Sequence, residues 1–404
     1  MVKVARDIRV LALVSWPAGT EAGFLDAYAK GNARPPVIDY PVSDFREARE
    51  ELQRIIALAD HTHPLGQYIY DSARSWNTAA LMCEALGTRA VLAYSTELYG
   101  APNETLPGNG PTAREAARHF ISIADELDSG LLSPAETVSI SATALRLQLQ
   151  GDLDDYFNRR VIEVELDPGL IAKAAAGATR IRLRASAHFS DYDRQQLLQH
   201  EAFVHSITAL NGREQPVLPS LSLSSPRTTA TQEGLATFAE QITGSIDIGR
   251  MKRISLRIEA VALALDGADF IDIFRVFLES GQTPQESFAS AQRIFRGVPT
   301  TGGCAFTKDT VYLRGLVGVH TFFRWALRQR KLALCRCLFA GKMTLADVQR
   351  FEPLFASGVL LPPRWLPPWI TRINGLAGML AFSLFANRIR LDSVATEGAF
   401  LLDF

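Results

Sequence analysis

Two histidines that lie five positions apart, His200 and His205, place the strongest constraint on the local fold of this sequence. Glu201 follows the first of them directly. In a regular α-helix each residue turns by about 100°, so side chains five positions apart point about 140° away from each other. A widened turn of π-helix would return both imidazoles to one face. If the two histidines act together, their spacing predicts a π-bulge between them.

The residues on either side of the pair predict a helix that follows a strand. Ser190 and Asp193 have the spacing of a capping box, and Asn211 with Gly212 supplies a helix end. Residues 181–184 alternate between apolar and basic side chains, as a half-buried strand does. The predicted order is therefore a strand and then a helix that carries both histidines.

A second helical pattern brings in a further possible metal ligand, Glu233. Imidazole nitrogens and a carboxylate oxygen suit Zn²⁺, and three protein ligands leave a fourth position for water. Glu240, seven residues after Glu233, falls on the same helix face and would either orient a ligand histidine or be a solvated charge. The set of His200, His205 and Glu233 predicts a catalytic zinc site. The alternative is that both histidines are ordinary surface or core residues.

Three sequence segments carry a resemblance to a known family. HEAFVH at residues 200–205 is followed by LNGREQP, then by TQEGLA at 231–236 and by TGGCAFTKDTVYLRG at 301–315. Together they resemble the zinc carboxypeptidase family that includes the microtubule-associated tyrosine carboxypeptidase and bacterial flavohemoglobin expression-modulating QEGLA motif proteins. The resemblance implies that His200, His205 and Glu233 are the zinc ligands and Glu201 the general base. It also implies removal of a C-terminal residue from a peptide or protein.

A carboxypeptidase needs a cation for the terminal carboxylate of its substrate. Lys308 and Arg314 are the preferred substrate-binding residues because they lie in the third family-like segment, where Tyr312 could stabilise an oxyanion. The alternative for each is a surface ion pair or a packed tyrosine. Four other arginines remain rivals for the carboxylate: Arg182, Arg184, Arg213 and Arg227.

Charge and cysteine usage limit the possible partners and location. The formal net charge of −1 indicates no nucleic-acid footprint. The four cysteines contain no Cys-x-x-Cys pair and are typical of free thiols in a reducing compartment. No apolar stretch reaches membrane-spanning length. We therefore expect a cytoplasmic protein that binds neither membranes nor nucleic acids, while its oligomeric state stays open.

The overall pattern predicts an α+β fold that is predominantly α-helical. Residues 1–150 are expected to be mainly helical, 151–345 to form a zincin-like metallopeptidase core, and 346–404 to form a C-terminal helical extension packed on it. A small sheet is expected beside the metal-binding helix, with a short alanine-rich helix between two of its strands.

The sequence leaves three functions open. The leading one is a zinc-dependent metallocarboxypeptidase that hydrolyses a C-terminal peptide bond through a metal-bound water activated by Glu201. The second is a metal-binding regulatory protein without turnover, and the third is a small-molecule amide hydrolase. Glu201 favours an enzyme, because a purely structural metal site needs no base beside its first ligand.

Overall fold

The computed structural model describes residues 1–128, 139–170 and 173–386 of the 404-residue chain. Most of these residues are helical, and the strands among them form two small sheets. The prediction of a predominantly helical α+β fold is therefore confirmed. The last part of the expected C-terminal extension, residues 387–404, lies outside the described residues. Among the described residues, no helix is both long enough and apolar enough to cross a membrane.

The described part of the first 160 residues is mainly helical. Their helices are α1 (Val2–Ala5), α2 (Val10–Leu13), α3 (Thr20–Ala29), α4 (Arg46–Leu58), α5 (Pro64–Glu84), α6 (Val91–Tyr99), α7 (Ala113–Asp128) and α8 (Ala142–Phe157). Two of the longest begin at a side-chain cap: Nδ1 of His63 accepts the backbone N–H of Leu65 at the start of α5, and the Ser141 hydroxyl accepts the backbone N–H of Ala144 at the start of α8.

The strands are short and cluster before the histidine-bearing helix. They are β1 (Ile140–Ser141), β2 (Glu163–Asp167), β3 (Ala174–Ala176), β4 (Arg180–Arg184) and β5 (His188–Phe189). β4 is the central strand of one sheet, parallel to β2 and antiparallel to β3, while β1 pairs with β5 in the other sheet. The strand predicted at 181–184 is confirmed.

The alanine-rich helix predicted between two strands is wrong, because Ala174–Ala176 forms β3. Three alanines are too few to complete a stable helical segment, although alanine has the best intrinsic helix propensity. Pairing with β4, in which Ala175 lies opposite Arg182, satisfies the backbone of this segment instead. Tertiary pairing has overridden local propensity here.

The histidine-bearing segment is a continuous helix of changing pitch. It consists of α9 (Asp191–Leu197), a π-helix (Leu198–Ser206) and α10 (Ile207–Arg213). The predicted capping box is present: the Ser190 hydroxyl accepts the N–H of Asp193 at 3.1 Å, and the Asp193 carboxylate accepts the N–H of Ser190 at 3.0 Å. The helix ends at Arg213, just beyond the predicted stop.

The remaining described chain is helical with short 3₁₀ turns at Pro219–Ser222, Pro226–Thr228 and Thr307–Thr310. The helices are α11 (Thr229–Ile242), α12 (Ile248–Leu265), α13 (Phe270–Glu279), α14 (Pro284–Phe295), α15 (Val311–Arg328), α16 (Ala333–Cys337), α17 (Leu345–Arg350), α18 (Glu352–Ala356), α19 (Pro368–Thr371) and α20 (Ile373–Ala386).

Two clusters of buried apolar side chains organise these helices. One joins the π-helix, the strands, α11 and α15, and includes Phe203, Phe238 and Phe323. The other is rich in aromatic rings from α3, α13 and α14. α12 contributes to both, with Ile258 in the first cluster and Val261 in the second. α12 therefore connects the two clusters, and the apolar residues of the π-helix belong to the first.

Candidate metal centre

The π-helix brings the two histidine side chains together. The ring centroids of His200 and His205 lie 4.8 Å apart, with the rings nearly perpendicular at 83°. The predicted π geometry between these residues is confirmed, and it extends over nine residues instead of a single widened turn. A π-helix closes its hydrogen bonds between residues five apart, so the five-residue spacing places both imidazoles on one face.

Glu233 on α11 completes a cluster of three possible ligands. Its Oε2 lies 3.4 Å from Nε2 of His200 and 3.8 Å from Nε2 of His205. Each of the three residues offers a ligand atom within 4.8 Å of the others. Ligand atoms on a tetrahedral zinc ion are about 3.4 Å apart, given bonds near 2.0 Å. The donor types and spacings therefore fit Zn²⁺.

Electrostatics in this cluster favour a positive charge. Burial lowers the pKa of the His200 imidazole, but hydrogen bonds to Glu233 and Glu240 raise it more, so the pKa lies well above its usual value. Burial raises the pKa of the Glu233 carboxyl, yet its contacts with His200 and His205 bring that pKa well below the usual range. The carboxylates around His200 therefore favour a positive charge at this position.

Glu240 contacts the ring nitrogen of His200 that faces away from Glu233. Its Oε1 lies 2.6 Å from Nδ1 of His200, and its side chain is completely buried. Arg250 on α12 donates to both oxygens of Glu240, through Nε and, at 2.7 Å, through Nη2. Burial opposes ionisation of Glu240, but His200 and Arg250 lower its pKa below the ordinary value. Of the two roles left open by the sequence, the solvated charge is therefore wrong.

Glu201 has the freedom that a general base requires. It is partly exposed and makes no hydrogen bond or ion pair with the residues that the structure describes. The negative charges of Glu201 and Glu233 favour the protonated form of the buried Lys342. Nζ of Lys342 donates to the Ser224 hydroxyl at 2.9 Å. Burial lowers the pKa of Lys342 to about 8. The sequence analysis missed this lysine, since no motif connects it with the distant histidines.

Two of the three residues predicted from the third segment lie beside the cluster. Nζ of Lys308 is 3.8 Å from Oε1 of Glu233 and 5.9 Å from the centre of the Tyr312 ring. Arg314 instead donates to Glu104 at 2.7 Å, is nearly half exposed, and forms no hydrogen bond or ion pair with a histidine or Glu233 in the described chain.

The rival arginines for which contacts are described are already bound to carboxylates. Arg182 donates to Asp167 at 3.0 Å on the sheet surface, with half of its side chain exposed. Arg227 is mostly buried and donates to the fully buried Asp347 at 2.8 Å. Each of these two guanidinium groups therefore already has a carboxylate partner within the protein.

A group of partly buried arginines near Tyr312 was missed by the sequence analysis. Arg250 and Arg257 come from α12 and Arg293 from α14. Arg293 forms a bidentate pair with the buried Asp309, with N–O distances of 2.8 and 2.6 Å. The seven-residue spacing of Arg250 and Arg257 predicts one helix face, and this signal was available in the sequence.

α11 can carry Glu233 to this position because it approaches α15 very closely. A Cβ atom on Gly234 would lie 2.2 Å from the carbonyl carbon of Gly315, and one on Gly315 would lie 2.1 Å from the carbonyl oxygen of Ala230. Only glycine permits such an approach of two backbones. The glycine that follows Glu233 therefore has a packing role.

Comparison with known proteins places this arrangement in a family. The family model described as microtubule-associated tyrosine carboxypeptidase matches residues 24–388. No curated protein gives a significant match. The matched region contains the π-helix, Glu233 and the third family-like segment, and the resemblance inferred from the three segments is confirmed. Because the match covers nearly the whole chain, the protein belongs to the microtubule-associated tyrosine carboxypeptidase family.

Proposed function

We propose that this protein is a zinc-dependent carboxypeptidase that hydrolyses the last peptide bond of a peptide or protein. Family membership supports carboxypeptidase-type activity. The observation that carries the zinc proposal is the convergence of His200, His205 and Glu233, with the unpaired Glu201 directly beside the first ligand.

In this proposal the ligands and the base have separate roles. His200 and His205, through Nε2, and Glu233, through its carboxylate, would hold the metal. Zinc, when bound, lowers the pKa of a coordinated water and polarises a carbonyl group. Glu201 accepts the proton of the attacking water and returns it to the leaving amine. Glu201 is not a ligand, because a base that is occupied by the metal cannot accept that proton.

Glu240 and Arg250 would act through His200. Nδ1 of His200 donates its proton to Glu240, which keeps the lone pair of Nε2 available for the metal. Arg250 neutralises Glu240 and keeps it ionised. This chain of contacts orients the imidazole before the metal arrives.

Tyr312 and Lys308 would act on the substrate side of the metal. The Tyr312 hydroxyl is the proposed donor to the oxygen that becomes negative during attack on the peptide carbonyl. Lys308 places a positive point charge beside the carboxylate of Glu233, one of the proposed ligands. We favour Lys308 over Arg314 for a role in the site, because Arg314 already donates to Glu104.

We further propose that the core, residues 151–345, is zincin-like. The sheet formed by β2, β4 and β3 precedes the π-helix in the chain, and both contribute to one apolar cluster. In this arrangement the sheet supports the metal-binding helix, while the described parts of residues 1–150 and 346–404 pack around it.

Metal analysis and peptide digestion test the function together. Purified protein loaded with zinc is incubated with otherwise identical peptides that end in tyrosine, leucine, alanine or glutamate, and products are weighed by mass spectrometry. We expect loss of a single C-terminal residue from at least one peptide. Glu201→Gln should keep its zinc and lose about 10²-fold or more of the rate. Glu214→Gln, an exposed control at the residue that follows the end of the same helical segment, should keep both.

Other outcomes separate the alternatives. A protein that binds zinc but leaves every peptide intact would support a regulatory metal protein or an amide hydrolase of small molecules. Turnover by zinc-loaded Glu201→Gln at the wild-type rate would overturn the assignment of the base.

A further inference from the structure

A buried hydrogen bond joins the helical segment that carries the histidines to the helix that carries Glu233. Oγ1 of Thr208 lies 2.9 Å from Oε1 of Gln232. Thr208 is completely buried, and Gln232 is 5 % exposed. Thr208 follows His205 by three residues, and Gln232 directly precedes Glu233. The contact is therefore within one helical turn of two of the three candidate ligands.

Thr208 also contacts the backbone where the π-helix ends. The π-helix ends at Ser206, and α10 begins at Ile207. Hydrogen bonds span five residues in a π-helix and four in an α-helix, so the regular pattern leaves one carbonyl group without a backbone N–H at this change. The Thr208 hydroxyl lies 2.7 Å from the carbonyl oxygen of Val204 and 3.2 Å from that of His205. It therefore supports the backbone at the transition that follows the second histidine.

Packing alone does not explain the amide of Gln232. In the part of the chain that the structure describes, its Nε2 is buried and has no hydrogen-bond partner. Leu235 and Ala236, on the same helix, belong to the surrounding apolar cluster. A buried amide nitrogen without a partner costs free energy, and an apolar side chain would avoid this cost. The hydrogen bond to Thr208 is what an apolar residue could not provide.

A second contact between the same two segments lies two helical turns away. Oε1 of Glu240 is 2.6 Å from Nδ1 of His200. Gln232 and Glu240 are eight residues apart on α11, and His200 and Thr208 are eight residues apart on the facing segment. The two contacts therefore connect antiparallel segments in one register, about 12 Å apart along α11. Glu233 lies between them.

We propose that the contact between Thr208 and Gln232 positions His205 against Glu233 for metal binding; this inference rests on the proposed zinc site. With the contact at the other end alone, the two segments would still be able to turn about it. The distance of 3.8 Å between Nε2 of His205 and Oε2 of Glu233 would then vary. The second contact removes this freedom. Thr208 and Gln232 are positioning residues, since neither contributes an atom to the candidate metal site.

Zinc affinity tests this role without turnover. Full-length, metal-free protein is titrated with zinc in competition with a chelator, for the wild type, Thr208→Val and Gln232→Met. Each variant lacks one partner of the hydrogen bond and keeps a side chain of similar size. We expect each to bind zinc about 10-fold more weakly than the wild type, as residues that orient metal ligands do. The double variant should also lose about 10-fold, because both substitutions remove the same contact.

Two further variants are controls. Thr208→Ser keeps the hydroxyl and should keep the zinc affinity of the wild type. Thr243→Val removes a hydroxyl that lies 2.7 Å from the carbonyl oxygen four residues earlier, but the contacts of this hydroxyl stay within residues 239–245. It should also bind zinc like the wild type. The urea midpoint of metal-free Gln232→Met should change little, because the substitution also removes the unpartnered nitrogen.

The proposal is wrong if either single variant binds zinc as tightly as the wild type, if the two losses multiply in the double variant, or if Thr208→Ser binds as weakly as Thr208→Val. A lower urea midpoint of the metal-free variants with unchanged zinc affinity would assign the contact to stability alone. Failure of the proposed function is recognised separately, because the wild type itself would then take up no zinc, or would take it up and cleave no peptide.

Discussion

Replacing Gly234 by alanine perturbs the closest approach of two helices in the site. The new Cβ would lie 2.2 Å from the carbonyl carbon and 2.3 Å from the carbonyl oxygen of Gly315. Carbon atoms in contact are normally about 3.5–4.0 Å apart, so α11 and α15 would have to separate by about 1.3 Å or more. Both obstructing atoms belong to the backbone, and no side-chain rotation can relieve the contact.

The expected cost follows from this displacement. Overpacking costs about 1–3 kcal/mol, and a backbone obstruction belongs at the upper end of that range. In a helix interior alanine is more stabilising than glycine by up to about 1 kcal/mol, and this gain partly offsets the loss. The free energy of unfolding should therefore fall by about 2 kcal/mol. Glu233 precedes Gly234 and would move with it. A misplacement of about 1 Å can lower the rate about 10²-fold.

Urea denaturation and peptide cleavage measure the two effects. Gly151→Ala is the matched control, since Gly151 also lies inside a helix but an added Cβ would meet nothing within 4 Å. The control should become more stable by up to about 1 kcal/mol and keep its activity. The reasoning is refuted if Gly234→Ala is as stable and as active as Gly151→Ala.

Three further perturbations have defined outcomes. Glu240→Gln should weaken zinc binding about 10- to 100-fold in chelator competition, because it replaces the charged partner of Nδ1 of His200 by a neutral amide. Unchanged zinc affinity would exclude this orienting role. Asp309→Asn should lower the free energy of unfolding at neutral pH by about 3–5 kcal/mol, since Arg293 loses its buried partner. Burial raises the pKa of the Asp309 carboxyl, but Arg293 lowers it more, so the pKa in the folded protein lies below the ordinary value of 3.8. The ionised carboxylate therefore contributes its full stabilisation above pH 3.8, and this stabilisation is lost as the pH falls through the lowered pKa. Acid denaturation should therefore be shallower in Asp309→Asn, and parallel curves would contradict the assignment. Removing zinc with a chelator should lower the melting temperature of the wild type but leave that of His205→Ala unchanged.

The geometry of the metal cluster could be predicted because it depends on local spacing. A spacing of five positions, as between His200 and His205, is incompatible with a common face on a regular helix, so the π-helix followed from the spacing once the two side chains were required to meet. Glu233, the third residue of the candidate cluster, was indicated by the second helical pattern and by the family-like TQEGLA segment. The first inference uses two residues five positions apart, and the second uses a contiguous motif.

The surroundings of the cluster depend on tertiary packing and could not be predicted in the same way. Helical periodicity placed Glu240 on the face of Glu233, but it could not say whether α12 would cover that face with Arg250. Arg257 and Lys342 lie far along the chain from the histidines, and their positions follow from how α12 and the segment after α16 pack. For Arg314 the sequence could not reveal Glu104 as a partner.

Hydrolysis in heavy-oxygen water is the most direct test of the central claim. The zinc-loaded protein is incubated in this water with a peptide ending in tyrosine, and the products are weighed by mass spectrometry. The account predicts a peptide shortened by its last residue, with one heavy oxygen in its new carboxylate, and no such product from Glu201→Gln or from metal-free protein. An intact peptide at full zinc occupancy, or the same product without metal, would contradict the claim that His200, His205 and Glu233 form a hydrolytic zinc site.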